Sequence, residues 1–572
     1  MFRRLLILPI LIISLLLLAA PGAFAHATVV TTSPTDGQLL ASTPHQVSVT
    51  FDEPVELQFG ALRVFAPNGT RVDTGSPDHP AGHADQVAVG LEAASAPGTY
   101  TVAWRVVSAD SHPVQGAFTF SVGAASATAL HPAALNPAGS TAVGVAYGVA
   151  RTVAYAAFAV LVGASAFVLA WWPAGARTRP VRLLLGSAWG GLFVATVGVL
   201  ALQGPYGGGF GIGRVWDTGV VRATLSTRLG EALSVRLALL VLAAGLLAWL
   251  VARVADASRR ARLLAAAAGT VLAVGTAATW AVAGHAGTGM QVALAVPVDV
   301  AHLVAMAVWF GGLALLAGIV LSRRGPADPD EKARLVRRFS PVALSCVIVL
   351  VGTGTYQSWR QVGTPSALTG TAYGRLLLVK LAGVLLLIGL GALARGWIAR
   401  HRGSQTTTAT ATATTTTTTT AIRSLRRSVA CEVAVGVCVL ALTSALVNAA
   451  PARTAVAAGA GPVSASVAFD TGGPAGTGTV QVTVDPARTG TDTVHLYTLG
   501  ANGAREQVLE IEASFGLAAQ NIGPLPVRLR ASGLGHLTGT VAVPVAGSWQ
   551  LAVTVRTDDI DETVVRIPIT IR

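Results

Sequence analysis

Long apolar runs fill the middle of the chain, and short alternating ones fill its two ends. Eight apolar segments, near 143–172, 182–203, 230–252, 262–283, 294–322, 339–359, 373–398 and 424–449, are each long enough to span a bilayer as a helix. Before them the period drops to two, in Val47, Val49 and Phe51 and again in Tyr100, Val102, Trp104 and Val106. Asn68-Gly69 and Pro97-Gly98 mark turns between these stretches. The same alternation returns in Val480, Val482 and Val484 and in Leu551, Val553 and Val555. The pattern predicts three units: a β-sandwich over 26–122, an eight-helix transmembrane bundle over 142–450, and a second small β-sandwich over 451–572. An Ala/Pro/Gly/Ser stretch, 123–141, joins the first two as a linker.

Composition supports the bilayer reading. Of 572 residues 52% are hydrophobic and only 12% charged, too apolar for a soluble enzyme. The net charge of +13 would suggest nucleic acid in a soluble protein, but the basic residues cluster in short loops. Loops after the odd-numbered segments are Arg-rich, as at Arg253, Arg259, Arg260 and Arg262, whereas the loop after the fourth segment has none. The positive-inside rule puts the first set in the cytoplasm and both terminal units outside, in the cell membrane. Residues 1–25 read as a signal peptide, with Arg3 and Arg4, an apolar run, and Ala23-Phe24-Ala25 before the cut. Cys346, Cys431 and Cys438 all lie in apolar runs, so no disulfide framework is expected in the exported parts. The threonine tract from Thr406 to Thr420 reads as a low-complexity spacer. Thr227 to Gly230 and Thr371 to Gly374 open matching helices, which suggests two four-helix halves.

The candidate chemistry begins at the cleavage site. A cut after Ala25 leaves His26 with a free α-amine and an imidazole, a chelating pair suited to Cu(II). Asp110 and His112, two apart, would share a side on an extended backbone and add a carboxylate oxygen and an imidazole nitrogen. In the membrane part, Asp299, His302, Met306 and Trp309 form one helical stripe, with His285 and Met290 just before it. Ionisable groups inside a span usually face a protein interior or a polar path, and imidazole and thioether are copper ligands. These five (His285, Met290, Asp299, His302 and Met306) form a candidate membrane copper path, the thioethers suiting Cu(I). A helix-packing network is the competing reading. Arg151, Arg236, Lys380 and Glu432 read as structural pairs, His79 and His83 as a surface loop, and His495 and His536 as ordinary surface residues.

His26-Ala27, Ser33-Pro34-Thr35-Asp36-Gly37, Val49 to Val55 and the Trp104-to-Phe120 block together resemble the CopC copper-binding family. The resemblance implies an immunoglobulin-like sandwich holding Cu(II) through His26, Asp110 and His112; Asp52 and Glu53 read as a solvated strand end, with support of the metal ligands as the alternative. Some members also bind Cu(I) through methionines. Here only Met1, Met290 and Met306 exist, so that site should be missing. Asp299-x-x-His302, Trp309-x-Gly311-Gly312, Tyr373-Gly374 with Lys380, and Glu432 resemble the CopD membrane family. The two likenesses imply a fusion that captures Cu(II) outside and passes copper inward. Delivery to an exported copper-accepting protein without transport is the alternative, and a copper monooxygenase a further one. No catalytic set is expected, and no ATP-binding G-x-x-x-x-G-K-[ST] loop appears.

Overall fold

The computed structural model describes residues 27–571 except 28, 58–60, 93–96, 112, 124–139, 403–410, 448, 450, 454–455, 457–462, 474–475 and 502–504. Among the described residues the N-terminal unit has eight strands: β1 (Val29–Ser33), β2 (Gln38–Leu40), β3 (Gln46–Phe51), β4 (Val55–Glu56), β5 (Leu62–Phe65), β6 (Gln86–Gly90), β7 (Gly98–Ser108) and β8 (Pro113–Val122). One sheet runs β1-β3-β6, the other β2-β8-β7-β4, with β5 also on β7. The alternating residues meet between them: Val47, Val49 and Phe51 face Tyr100, Val102, Val106 and Phe120, all buried. Tyr100 stacks on Phe120 with ring centroids 5.2 Å apart.

Ten helices follow among the described residues: α1 (Ser140–Ala170), α2 (Arg179–Gly208), α3 (Thr218–Leu225), α4 (Arg228–Arg253), α5 (Arg259–Ala283), α6 (Val292–Leu315), α7 (Pro329–Val362), α8 (Ser366–Gly370), α9 (Ala372–Arg402) and α10 (Ala411–Val447). Eight of them are long and apolar enough to cross a membrane; α3 and α8 are short. Each short helix precedes a span in the same way. Thr227 and Thr371 each accept the amide N–H three residues on, from Gly230 and Gly374, both at 3.0 Å. A Cβ at Gly230 would lie 2.0 Å from the Thr224 carbonyl oxygen, and one at Gly374 2.3 Å from that of Ala367. The repeated Thr-x-x-Gly is thus a cap plus a close backbone approach, used twice.

Helix α1 lies at the centre, packed on α2, α6 and α10. The α1–α6 crossing is tight: a Cβ on Gly163 would sit 2.3 Å from the Ala307 carbonyl oxygen, and one on Gly311 2.1 Å from that of Ala159. In lipid, such small-residue contacts replace the hydrophobic drive between helices. Gly311→Val should therefore destabilise the protein. Overpacking costs about 1–3 kcal/mol, and rigid backbone on the other side puts this site at the upper end. That exceeds the few tenths of a kcal/mol that replacing a helical glycine by valine returns. Thermal unfolding in detergent measures it: Gly311→Val should melt well below wild type, whereas Gly186→Ala, with open space around its Cβ, should not.

Nine strands follow among the described residues: β9 (Val463–Asp470), β10 (Thr477–Asp485), β11 (Gly490–Gly500), β12 (Glu510–Leu517), β13 (Ile522–Pro526), β14 (Arg530–Gly533), β15 (His536–Val543), β16 (Gly547–Arg556) and β17 (Glu562–Ile571). Sheets β14-β15-β11-β10-β9 and β13-β12-β16-β17 enclose Val480, Val482, Val484, Leu551 and Val553 around the fully buried Trp549. Arg505 of this unit donates to the Gly37 carbonyl oxygen at 2.7 Å, which ties the two β-units together.

Candidate functional site

Strand β7 ends at Ser108, and the chain turns before β8 begins at Pro113. Asp110 stands in that turn and Ser111 has a left-handed φ of 72°. This corrects the sequence expectation of an extended backbone at this point: strand alternation does not set the direction of the Asp110 side chain, the turn does. His112 and His26 lie outside the described residues. The position after His26 is informative even so. The Ala27 backbone N–H donates to Ser108 Oγ at 3.3 Å, and Ser108 Oγ–H donates to Glu53 Oε1 at 2.6 Å. The start of the sandwich is therefore pinned two residues from Asp110. Glu53, expected at a solvated strand end, anchors that pin.

The turn rests on the membrane unit. Ser111 Oγ–H donates to the Ala283 carbonyl oxygen at 2.7 Å, at the end of α5. Asp110 is 1% exposed, and its Oδ2 accepts from His285 Nδ1 at 2.9 Å. With Nδ1 carrying the proton, a neutral His285 has its lone pair on Nε2. Two further contacts fix the docking: Arg105 donates to the Gly207 and Tyr206 carbonyl oxygens at 2.6 and 3.0 Å, and Glu56 Oε1 accepts the Arg228 backbone N–H at 2.7 Å. Burial in this interface pushes the Glu56 carboxyl above its ordinary value, against the pull of the Arg228 N–H and charge.

The loop carrying His285 is held by two arginines. Arg360, near the end of α7, donates to the carbonyl oxygens of His285 at 2.5 Å, Met290 at 2.9 Å and Thr288. Arg228 reaches the Gly287 carbonyl oxygen at 3.0 Å. Arg360 stands just past the sixth apolar segment, and its clamp role needs the loop to fold back on it. Met290 contributes its carbonyl to this clamp, and its side chain is not among those lining the cavity described next.

Asp110, Ser111 and His285 line the mouth of a cavity of about 1030 Å³ that runs into the helices. Asp299, His302 and Met306 of α6 line it deeper, as the helical spacing requires. Helix α7 orients two of them. Gln357 Nε2–H donates to Asp299 Oδ1 at 2.8 Å, and His302 Nδ1 lies 2.8 Å from Thr353 Oγ1. The Thr353 hydroxyl spends its proton on the Val349 carbonyl oxygen at 2.6 Å. His302 Nδ1 is therefore the donor, and Nε2 is left as the lone-pair nitrogen, the arrangement that prepares a histidine for a metal. Thr353, Gln357 and Arg360 were missed from the sequence, although their i, i+4, i+7 spacing on one face of α7 was available as a signal.

Two of the intramembrane cations, Arg236 and Arg151, lie over aromatic faces. The Arg236 guanidinium lies 3.7 Å from the Trp280 ring centroid and its Nε–H donates to Thr279 Oγ1 at 2.8 Å. Arg151 lies over Tyr147. Cys431 and Cys438 are exposed on α10 and do not line the cavity. In the sandwich, His79 Nδ1 bonds the Gln86 carbonyl oxygen at 2.7 Å. Among the described residues no three His, Cys, Asp or Glu side chains converge as a metal site.

Comparison with known proteins gives three family matches in order along the chain. The CopC domain matches residues 29–123, the copper resistance protein D-like N-terminal domain 140–293, and copper resistance protein D 333–446. The copper transport protein CutJ of Bacillus subtilis is 31% identical over 396 residues, covering 67% of this chain and 70% of that protein. Protein YobA of Escherichia coli is 32% identical over 105 residues, 18% of this chain and 85% of that one. Among solved structures, CopC of Methylosinus trichosporium is 26% identical, with TM-score 0.16, covering 17% of this chain and 93% of that one.

Proposed function

This chain belongs to the family of CopC–CopD copper resistance and transport proteins, and from that premise we propose that it captures Cu(II) on its outer face and passes copper inward through its helices. The capture ligands are the α-amine and imidazole of His26, the Asp110 carboxylate and the His112 imidazole. Both β-units stand outside the cell membrane. The observation that carries this reading is the 2.9 Å contact between Asp110 and His285, 175 residues apart in sequence and both buried.

One carboxylate serves two partners in this scheme. Asp110 Oδ1 binds the ion while Oδ2 holds the His285 ring, so capture and transfer share a residue. A carboxylate on one ring nitrogen raises the basicity of the other, which draws the ion from Asp110 toward His285. His302, with Nε2 prepared by Thr353, is the next imidazole down the cavity, and Asp299 supplies negative charge beside it. The Met306 thioether, one helical turn further, would suit the ion only once an external one-electron donor has reduced it to Cu(I). Asp299, His302 and Met306 lie on one face of α6, so the ion follows a single helix.

Whole-cell copper content tests the direction. A strain lacking the protein should hold less cytoplasmic copper than its parent at equal external copper. Unchanged cytoplasmic copper, together with a metal-poor exported copper enzyme, would replace inward transport by delivery to an exported acceptor.

A further inference from the structure

His495 and His536 were expected to be unrelated surface residues, since 41 positions separate them. The sheet brings them together. Strand β11 pairs antiparallel with β15, with His495 opposite Thr538 and Tyr497 opposite His536. The two histidines are thus diagonal neighbours on one polar face, and His495 Nδ1 lies 3.3 Å from His536 Nε2. Tyr497 stacks on the His536 ring with centroids 4.4 Å apart, which fixes its plane.

We infer that this pair is a second copper site, in which His495 Nδ1 and His536 Nε2 bind one Cu(II) ion with water completing the coordination. The spacing suits it. Two imidazole nitrogens each about 2.0–2.1 Å from one ion stand about 3.3 Å apart at a tetrahedral angle and about 2.9 Å apart at a right angle. The observed separation falls at the tetrahedral end of that range and above the right-angle spacing that a tetragonal Cu(II) prefers, so His495 closes toward the His536 ring held by Tyr497 as the ion enters. One of the two nitrogens carries the proton of the bond between the rings, and the ion takes that proton's place when the ring shifts its hydrogen to the other nitrogen.

The surrounding charges are balanced. Arg505 lies over the Tyr497 ring at 4.6 Å and spends one N–H on the Gly37 carbonyl oxygen, so one cation stands near the pair. Asp485 stands opposite Thr493, one same-face position from His495, and supplies the compensating negative charge. No third His, Cys, Asp or Glu among the described residues joins them. Two protein ligands make a site weaker than the capture site, and one open to exchange. Its place beside the Gly37 loop puts it next to the N-terminal sandwich, where an ion could wait before capture. The identity of the ion follows from the family reading; the ligands are independent of Asp110.

Equilibrium dialysis of the full-length protein in detergent against Cu(II), with electron paramagnetic resonance of the bound ion, tests this. The double variant His495→Ala/His536→Ala should bind one equivalent fewer than wild type and keep the signal that Asp110→Ala removes. His536→Phe, which preserves stacking on Tyr497 but has no ligand nitrogen, should lose the same equivalent. Wild-type stoichiometry in either variant overturns the second site. Loss of an equivalent from these variants alongside an unchanged Asp110→Ala would keep the pair and remove the capture reading instead.

Discussion

Asp110→Ala in the full-length protein should lower its affinity for Cu(II) by about a hundredfold or more and reduce cellular copper to the level of a strain without the protein. Removing a residue that merely supports a metal ligand typically costs about 10–100-fold, and a direct ligand stands at or beyond the upper limit. The same change deletes the hydrogen bond to His285, so transfer fails together with capture. Losing that buried bond also weakens docking of the turn by about 1–3 kcal/mol. Asp110→Asn separates the two effects. It can still bond the His285 ring and hold the turn, yet it offers the ion no negative oxygen. It should therefore keep wild-type thermal stability while losing affinity almost as fully. One extra residue placed ahead of His26 should produce the same loss through the other end of the ligand set, because a blocked α-amine cannot chelate. Wild-type Cu(II) titration in Asp110→Ala would remove Asp110 from the site.

His302→Ala should produce the complementary phenotype, with Cu(II) titration of the outer site unchanged and cellular copper accumulation reduced about tenfold or more. The stripe on α6 has only this imidazole between His285 at the mouth and the Met306 thioether, so its removal leaves a gap that the ion must cross without a nitrogen donor. Thr353→Val gives a graded test. It removes the acceptor that holds His302 Nδ1–H, frees the ring to change tautomer, and should slow passage within the about 10–100-fold range of outer-shell changes. A helix-packing role for His302 would instead lower thermal stability in both variants and leave accumulation per folded molecule untouched. Normal accumulation with His302→Ala would take the path off α6.

The membrane stripe was legible because a helix is a local object. Asp299, His302 and Met306 share a face by arithmetic alone, and the cavity lies along that face. The turn at Asp110 was not legible: the sequence Ser-Ala-Asp-Ser-His reads equally well as a strand end, and the left-handed Ser111 makes its side-chain bond to Ala283, 172 residues away. The Asp110–His285 contact had no local signal at all, since neither residue's neighbours encode the other. His495 and His536 show the same limit within one sheet, where their nearness depends on which strands pair and in what register.

By itself the sequence determined the three-unit layout, the eight apolar helices and the residue types able to hold copper. Those features follow from transfer between water and lipid and from strand and helix periods, which act over neighbouring positions. Tertiary structure alone decided which polar groups meet: Asp110 with His285, Thr353 with His302, Arg360 with the loop above the cavity. Such meetings depend on how separately formed elements pack, and a buried polar group is stable only where packing brings it a partner.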